Sequence, residues 1–257
     1  MEDFPQNKPE TTIDKLEESA HHIAGMYIQA AEQYLTEEDP LRSRIIAYYT
    51  RPETEQELLN VLGKNEKEVL AYTQNIKNIT ENPLRFIEQM EKLYELQDTR
   101  NRRRKLVSQD RLATDEEYKL GTYIDVLESH IRDAVIAAQR KGYLTFQSGF
   151  KEKSERDQFM DFYNKEIVIP ENILKYLQGQ SVEIRIENFD DRTTLSLHPK
   201  GNDPIRLGKW KEIWDTLIDS LPPANSETVP NMKLYREHSD FRKKQDSLKN
   251  KGGSWSA

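Results

Sequence analysis

Up to about residue 118 the apolar side chains recur at the spacing of amphipathic helices, and no stretch alternates as a strand does. Alternation begins only at Tyr143. A chain whose strands arrive late and together cannot build the interleaved strand–helix units of a parallel sheet. The expected fold class is therefore α+β: a helical N-terminal region followed by a two-layer domain with a small, mainly antiparallel sheet.

The helical part opens with an amphipathic segment from Thr12 to Leu35, with Ile13, Leu16, Ala20, Ile23, Tyr27 and Tyr34 on one face. Asp39-Pro40 is an N-cap followed by proline at the first helical position, and Thr50-Arg51-Pro52 ends the helix it starts. Thr54-Glu55-Gln56-Glu57 reads as a capping box opening a short helix that stops at Gly63, with Asn65 capping another. Asn82-Pro83 repeats the N-cap and proline signal and leads toward the basic stretch near Arg104.

Thr122 to Lys141 predicts a helix with Ile124, Leu127, Ile131, Val135 and Ala138 inward, closed by Gly142. Tyr143–Gln147 predicts a strand ended by Ser148-Gly149. Ser154 is expected to cap a helix carrying Phe159, Met160, Phe162 and Tyr163. Ile167–Ile169 predicts a short strand, and Ile173–Leu177 a short helix. Val182–Glu187 and Thr194–His198 form the clearest hairpin, each strand with one wet and one dry face. A last helix carries Trp210, Ile213, Trp214, Leu217 and Leu221 and stops at Pro222-Pro223. The expected organisation is a disordered tail over 1–10, a helical region over 11–118, the α+β domain over 119–223 and a flexible basic tail over 224–257, with one short helix near Lys233 to Phe241.

Composition narrows the chemistry. With no cysteine, disulfides, thiolate catalysis and Cys-based metal centres are excluded. Charged residues make up 32% of the chain against 35% for the hydrophobic types, and the mean hydropathy is −0.89. The longest apolar runs, Ile45–Tyr49 and Ala134–Ala138, are far below the roughly 20 residues that span a bilayer. No basic segment followed by an apolar one marks a signal peptide near Met1. The expectation is a cytoplasmic protein that does not enter the membrane. The net charge of −7 is uneven: residues 1–60 hold 13 acids and 5 Lys/Arg, whereas residues 232–257 hold 7 Lys/Arg and 3 acids.

In the helical region, Glu57-Leu58-Leu59, Leu62-Gly63 and Val69, with Ile45 and Ile46 upstream, have the spacing of two helices joined by a tight glycine turn. This unit, at about 41–78, resembles the helix-turn-helix of many transcription regulators, and the resemblance is generic. It implies a DNA-reading second helix offering Asn65, Lys67, Thr73, Gln74 and Lys77 to base edges and phosphates. Glu66 and Glu68 at its start, and Glu53, Glu55 and Glu57 before it, oppose phosphate. The bland alternative is a packing unit of three helices.

Arg100, Arg102, Arg103, Arg104 and Lys105 form the densest positive charge in the chain, suited to phosphates or to an acidic protein. No aromatic residues interleave with them, so stacking on single-stranded bases is not indicated. A candidate ligand pocket in the α+β domain gathers Thr145, Arg185, His198, Trp210 and Trp214, which equally serve as ordinary packing.

The histidines show no metal-ligand spacing: His21 and His22 are adjacent and diverge around a helix, and no HExxH is present. There is no GxSxG elbow and no phosphate-cradling glycine loop. The reading leans away from an enzyme and calls for no cofactor and no metal. It favours a regulatory or interaction protein whose Arg100–Lys105 cluster and basic C-terminal segment bind an acidic partner or nucleic acid.

Overall fold

The computed structural model describes residues 12–62, 81–109, 111–151, 156–225, 230, 232, 235 and 239–252. The expected tail over 1–10 and most of the second half of the helix-turn-helix-like unit lie outside them. The chain is α+β, and it divides into two compact units, up to Met90 and from Glu91 onward. The division falls inside a long helix rather than near residue 118.

The first unit holds α1 (Thr12–Tyr34), α2 (Pro40–Tyr49), α3 (Pro52–Leu62) and the opening turns of α4 (Pro83–Ser108). Small residues let the helices approach: Ala20, Ala24, Ala30 and Ala31 are buried with Ile23, Leu41, Ile45 and Leu58. Tyr27 joins the elements, its ring stacked on Tyr49 at 4.3 Å and tilted against Phe86 at 4.8 Å. Asp39 caps α2 through a 2.9 Å bond from the Leu41 N–H, with Pro40 at the first turn as the sequence indicates.

The expected capping box at Thr54 does not form. Helix α3 already begins at Pro52, so the Thr54 hydroxyl donates to the Tyr48 carbonyl at 2.6 Å and Glu57 accepts from the Tyr48 hydroxyl at 2.9 Å. A capping box does close α5 (Asp115–Leu120), where Thr114 and Glu117 exchange side-chain and backbone bonds. Gly121 ends that helix in the left-handed region, at φ 75°.

The second unit is a helical layer on a four-stranded antiparallel sheet. It comprises α6 (Ser129–Arg140), β1 (Thr145–Phe150), β2 (Gln158–Phe162), α7 (Glu171–Gly179), β3 (Val182–Asn188), β4 (Thr193–Pro199), α8 (Leu207–Ser220) and α9 (Asp240–Gly252), with strand order β1-β2-β4-β3. Its core joins Trp210, Ile213, Trp214 and Leu217 of α8 to Ile131, Val135 and Ala138 of α6, and to Met160, Phe162, Leu195 and Leu197 of the sheet. The hairpin of β3 and β4 is the one the alternation predicts.

Four sequence readings are corrected. Gln158–Phe162 is a central strand, not a helix: Met160 pairs with Leu195 and Ser148, and Asp161 lies on the other face, where it accepts from the Thr194 hydroxyl at 2.5 Å. Its nearly continuous apolar run fits a strand buried on both faces as well as a helix, so periodicity alone could not separate them. The helix expected from Thr122 begins only at Ser129, after a short 3-10 turn at Ile124–Val126. The first strand runs on through Ser148 and Gly149 to Phe150. Gly149 sits at φ +125°, and a Cβ there would lie 2.5 Å from a Glu128 carboxylate oxygen, so glycine continues the strand instead of ending it. Finally, Ile167–Ile169 is in no ladder, although Ile167 and Ile169 are buried.

The segment beyond 224 is not wholly a flexible tail. Over Asp240–Gly252 it is helix α9, docked on the chain around α5. Gln245 is buried and makes three bonds: its carbonyl accepts from the Ala113 N–H at 2.8 Å, and its amide donates to the Arg111 carbonyl and the Tyr123 hydroxyl. Arg242 lies over the Tyr235 ring and donates to the Tyr118 and Lys119 carbonyls at the end of α5. Among the described residues, no helix is long and apolar enough to cross a membrane.

Candidate functional site

From Glu91 onward, α4 organises the second unit through its acids and presents most of its clustered bases outward. Glu91 and Glu95 are one helical turn apart, and each closes the start of a different helix. Glu91 accepts from the Leu207 N–H of α8 at 2.7 Å and from Arg206 at 2.7 Å. Glu95 accepts from the Ser129 N–H of α6 at 2.6 Å and from its hydroxyl at 2.9 Å. A carboxylate at a helix N-terminus satisfies open N–H groups and complements the positive end of the macrodipole. This explains why α6 starts at Ser129.

The next turns supply Arg102, whose guanidinium donates to Glu95 at 3.1 Å, to the Thr99 hydroxyl at 2.8 Å and to the Asp125 carbonyl at 2.8 Å. Of the five cations in the expected basic cluster, Arg102 is therefore half-buried and structural, a correction to its reading as a binding residue. Arg100, Arg103, Arg104 and Lys105 are exposed, and no ion pair engages them among the described residues.

Helix α9 brings the second basic segment to the same place. Lys244 donates to the Val107 carbonyl at 3.4 Å, near the end of α4, and Lys249 lies over the Tyr118 ring. Cations there also complement the negative end of the α4 dipole. Two apolar side chains stand in the same stretch of chain: Val107 is 56% exposed and Leu112 52%. The resulting surface combines fixed positive charge with small apolar patches.

Beneath Glu95 lies a buried polar cluster that sequence reasoning passed over. His130 of α6 is fully buried, with its ring against Phe150, and its Nε2 is 3.6 Å from a Glu128 carboxylate oxygen. Burial pushes the Glu128 carboxyl up to about 7, with the neighbouring Glu95 charge acting the same way. Burial also pulls His130 down to about 4. Glu95 feels a burial penalty too, yet the Ser129 bonds and Arg102 hold it below the usual carboxylate range. Gln158 of β2 borders the cluster, accepting from the Trp214 indole N–H at 2.6 Å. The sequence signal for this cluster was slight: an Asp or Glu before a helix start is common, and nothing local ties Glu95 to Ser129.

The five residues of the expected pocket do not converge, which corrects that reading. Trp210 and Trp214 are packed in the core on the helical side of the sheet, the side that Gln158 and Leu197 face. Thr145, paired with Phe162, lies at the start of β1 on that side. His198 and Arg185 project from the opposite face, because neighbours along a strand alternate and Arg185 pairs with Ser196. There His198 Nδ1 is held 3.0 Å from Asp157, and Arg185 bonds Glu183 at 3.1 Å. The DNA-reading residues Asn65, Lys67, Thr73, Gln74 and Lys77 lie outside the described residues. Among the described residues no group of three His, Asp or Glu is placed to hold a metal ion. In comparisons with known proteins, the chain matches no family model, no curated protein and no solved structure.

Proposed function

We propose that this is a non-enzymatic cytoplasmic interaction protein that binds an acidic protein segment on the surface formed by the end of α4 and α9. The observation that carries the reading is the meeting of two basic segments distant in sequence, with Lys244 on the Val107 carbonyl beside Arg103, Arg104 and Lys105. Exposed cations with a shared helix end attract carboxylates and raise association rates. Val107 and Leu112 favour a peptide that carries apolar side chains over a nucleic-acid backbone, which offers only charge at this spacing.

The test is fluorescence anisotropy with a labelled peptide alternating Glu and Leu, compared with a labelled DNA duplex. The wild type is expected to bind the peptide, with affinity falling at higher salt. The Arg103→Glu/Arg104→Glu variant, which leaves Arg102 in place, is expected to bind at least about tenfold more weakly. Equal binding by the variant overturns the assignment of the surface. Binding of the duplex without the peptide overturns the acidic-protein reading in favour of nucleic acid.

A further inference from the structure

We propose that β3 is a homodimerisation edge, on which a second copy of this chain adds its own β3 antiparallel, about a two-fold axis through Ile186. The inference is independent of the basic surface. Strand β3 lies at the edge of the sheet and pairs with β4 alone. An edge strand of seven residues presents a row of backbone donors and acceptors that another strand can satisfy.

Backbone direction decides which residues such a strand meets. The Phe189 N–H donates to the Arg192 carbonyl, and the Ser181 carbonyl accepts from the Lys200 N–H. Odd-numbered residues of β3 thus turn their backbone groups toward β4. In an antiparallel ladder these groups alternate, so Ile184, Ile186 and Asn188 turn theirs outward. A second β3 must therefore pair even residues with even ones, which leaves three central registers.

Charge and exposure choose among the three. A centre at Arg185 sets Arg185 against itself and Glu183 against Glu187 of the other copy, which repels. A centre at Ile184 falls on the half of the strand where Val182 is buried and α7 packs. A centre at Ile186 sets Arg185 opposite Glu187 twice over and brings Ile186 against its own copy. This half of the strand, Arg185 to Asn188, is exposed throughout. Ile186 is 38% exposed and Phe189, just beyond the strand, 45%. Glu187 has no ion-pair partner among the described residues, while Arg185 holds Glu183 at 3.1 Å. The Ile184 register also sets Glu183 opposite Arg185, but only the Ile186 register combines symmetric charge pairing with an exposed half of the strand, as a two-fold interface requires.

The experiment is light scattering of the full chain over a concentration series, with circular dichroism to confirm that each variant is folded. The wild type is expected to rise from 30.2 kDa toward twice that mass. Arg185→Glu and Glu187→Arg, each alone, are expected to stay at the monomer mass, since each sets like charges opposite one another. Mixed together, the two variants are expected to form a dimer. One chain is then acidic at both positions and the other basic at both, so each cross-strand pair joins opposite charges. A wild type that remains monomeric throughout overturns the proposal. So does a dimer unmoved by either single reversal, or two monomeric variants that fail to associate on mixing.

Discussion

The helical unit up to Met90 and the α+β unit from Glu91 are held by different means. The first relies on close helix packing over alanines and on one aromatic centre, Tyr27 with Tyr49 and Phe86. Its helix starts are set by neighbours in sequence, such as Asp39 at α2. The second has a deep two-layer core and closes its helices with side chains from far along the chain. Helix α8 has Glu91 at its N-terminus, and at its C-terminus Lys141 donates to the Ile218, Asp219 and Leu221 carbonyls. Both contacts have the sign the macrodipole favours. A unit capped from within its own segments can be read residue by residue, whereas one capped at long range depends on its tertiary arrangement.

The sharpest way to break the comparison is to remove each centre. Trp214→Ala is expected to cost about 4 kcal/mol, through the cavity and the loss of the Gln158 partner, and Tyr27→Ala about 3 kcal/mol. Amide exchange should report the first in α6, α8 and the sheet, and the second in α1 and α2. Next, Glu95→Ala removes the long-range cap and strands Arg102, and about 2 kcal/mol is expected, read as a lower denaturation midpoint. If the loss is no larger than for an exposed glutamate such as Glu32, the α6 cap is not stabilising.

In pH dependence the buried cluster beside Glu95 responds with opposite signs. Glu128 stands at about 7 in the fold against an ordinary 4.5, so its contribution is full below 4.5 and is lost as pH rises through 7. His130 stands at about 4 against 6.5, so its contribution is full above 6.5 and is lost as pH falls through 4. Glu95, held low, likewise contributes above its ordinary 4.5 and loses that as pH falls. Glu128→Gln is expected to remove the alkaline loss while leaving the acid one. Taken as Tm at pH about 8 minus Tm at pH about 5, the value should rise in the variant, because the opposing His130 and Glu95 contributions remain, and an unchanged value would show that Glu128 does not titrate in this range.

The legible parts were those whose signals are local. The α2 start at Asp39-Pro40, the β3–β4 hairpin and the inward face of Ile131, Val135 and Ala138 follow from spacing and cap chemistry. The basic cluster was visible as composition, but not the fact that Arg102 turns inward to Glu95. The strand at Gln158–Phe162 was misread because a run apolar on both faces carries no period, and α9 because a polar helix docked chiefly by long-range bonds of Gln245 and Arg242 shows no apolar face. The pocket failed because alternation along β3 and β4 puts Arg185 and His198 on the face away from the tryptophans.

By itself, then, the sequence determined an α+β chain, helical first, with no thiol chemistry and with charge gathered in two basic segments. Those properties depend on periods of a few residues and on residue type. Tertiary structure decided where α6 begins, which of the arginines remain outward, and that the two basic segments share one surface. It also left β3 at the edge of its sheet, with Ile186 and Glu187 uncovered. The physical reason is range: a hydrophobic period acts within one element, whereas a carboxylate on α4 that caps α6 or α8 requires the whole unit to be in place.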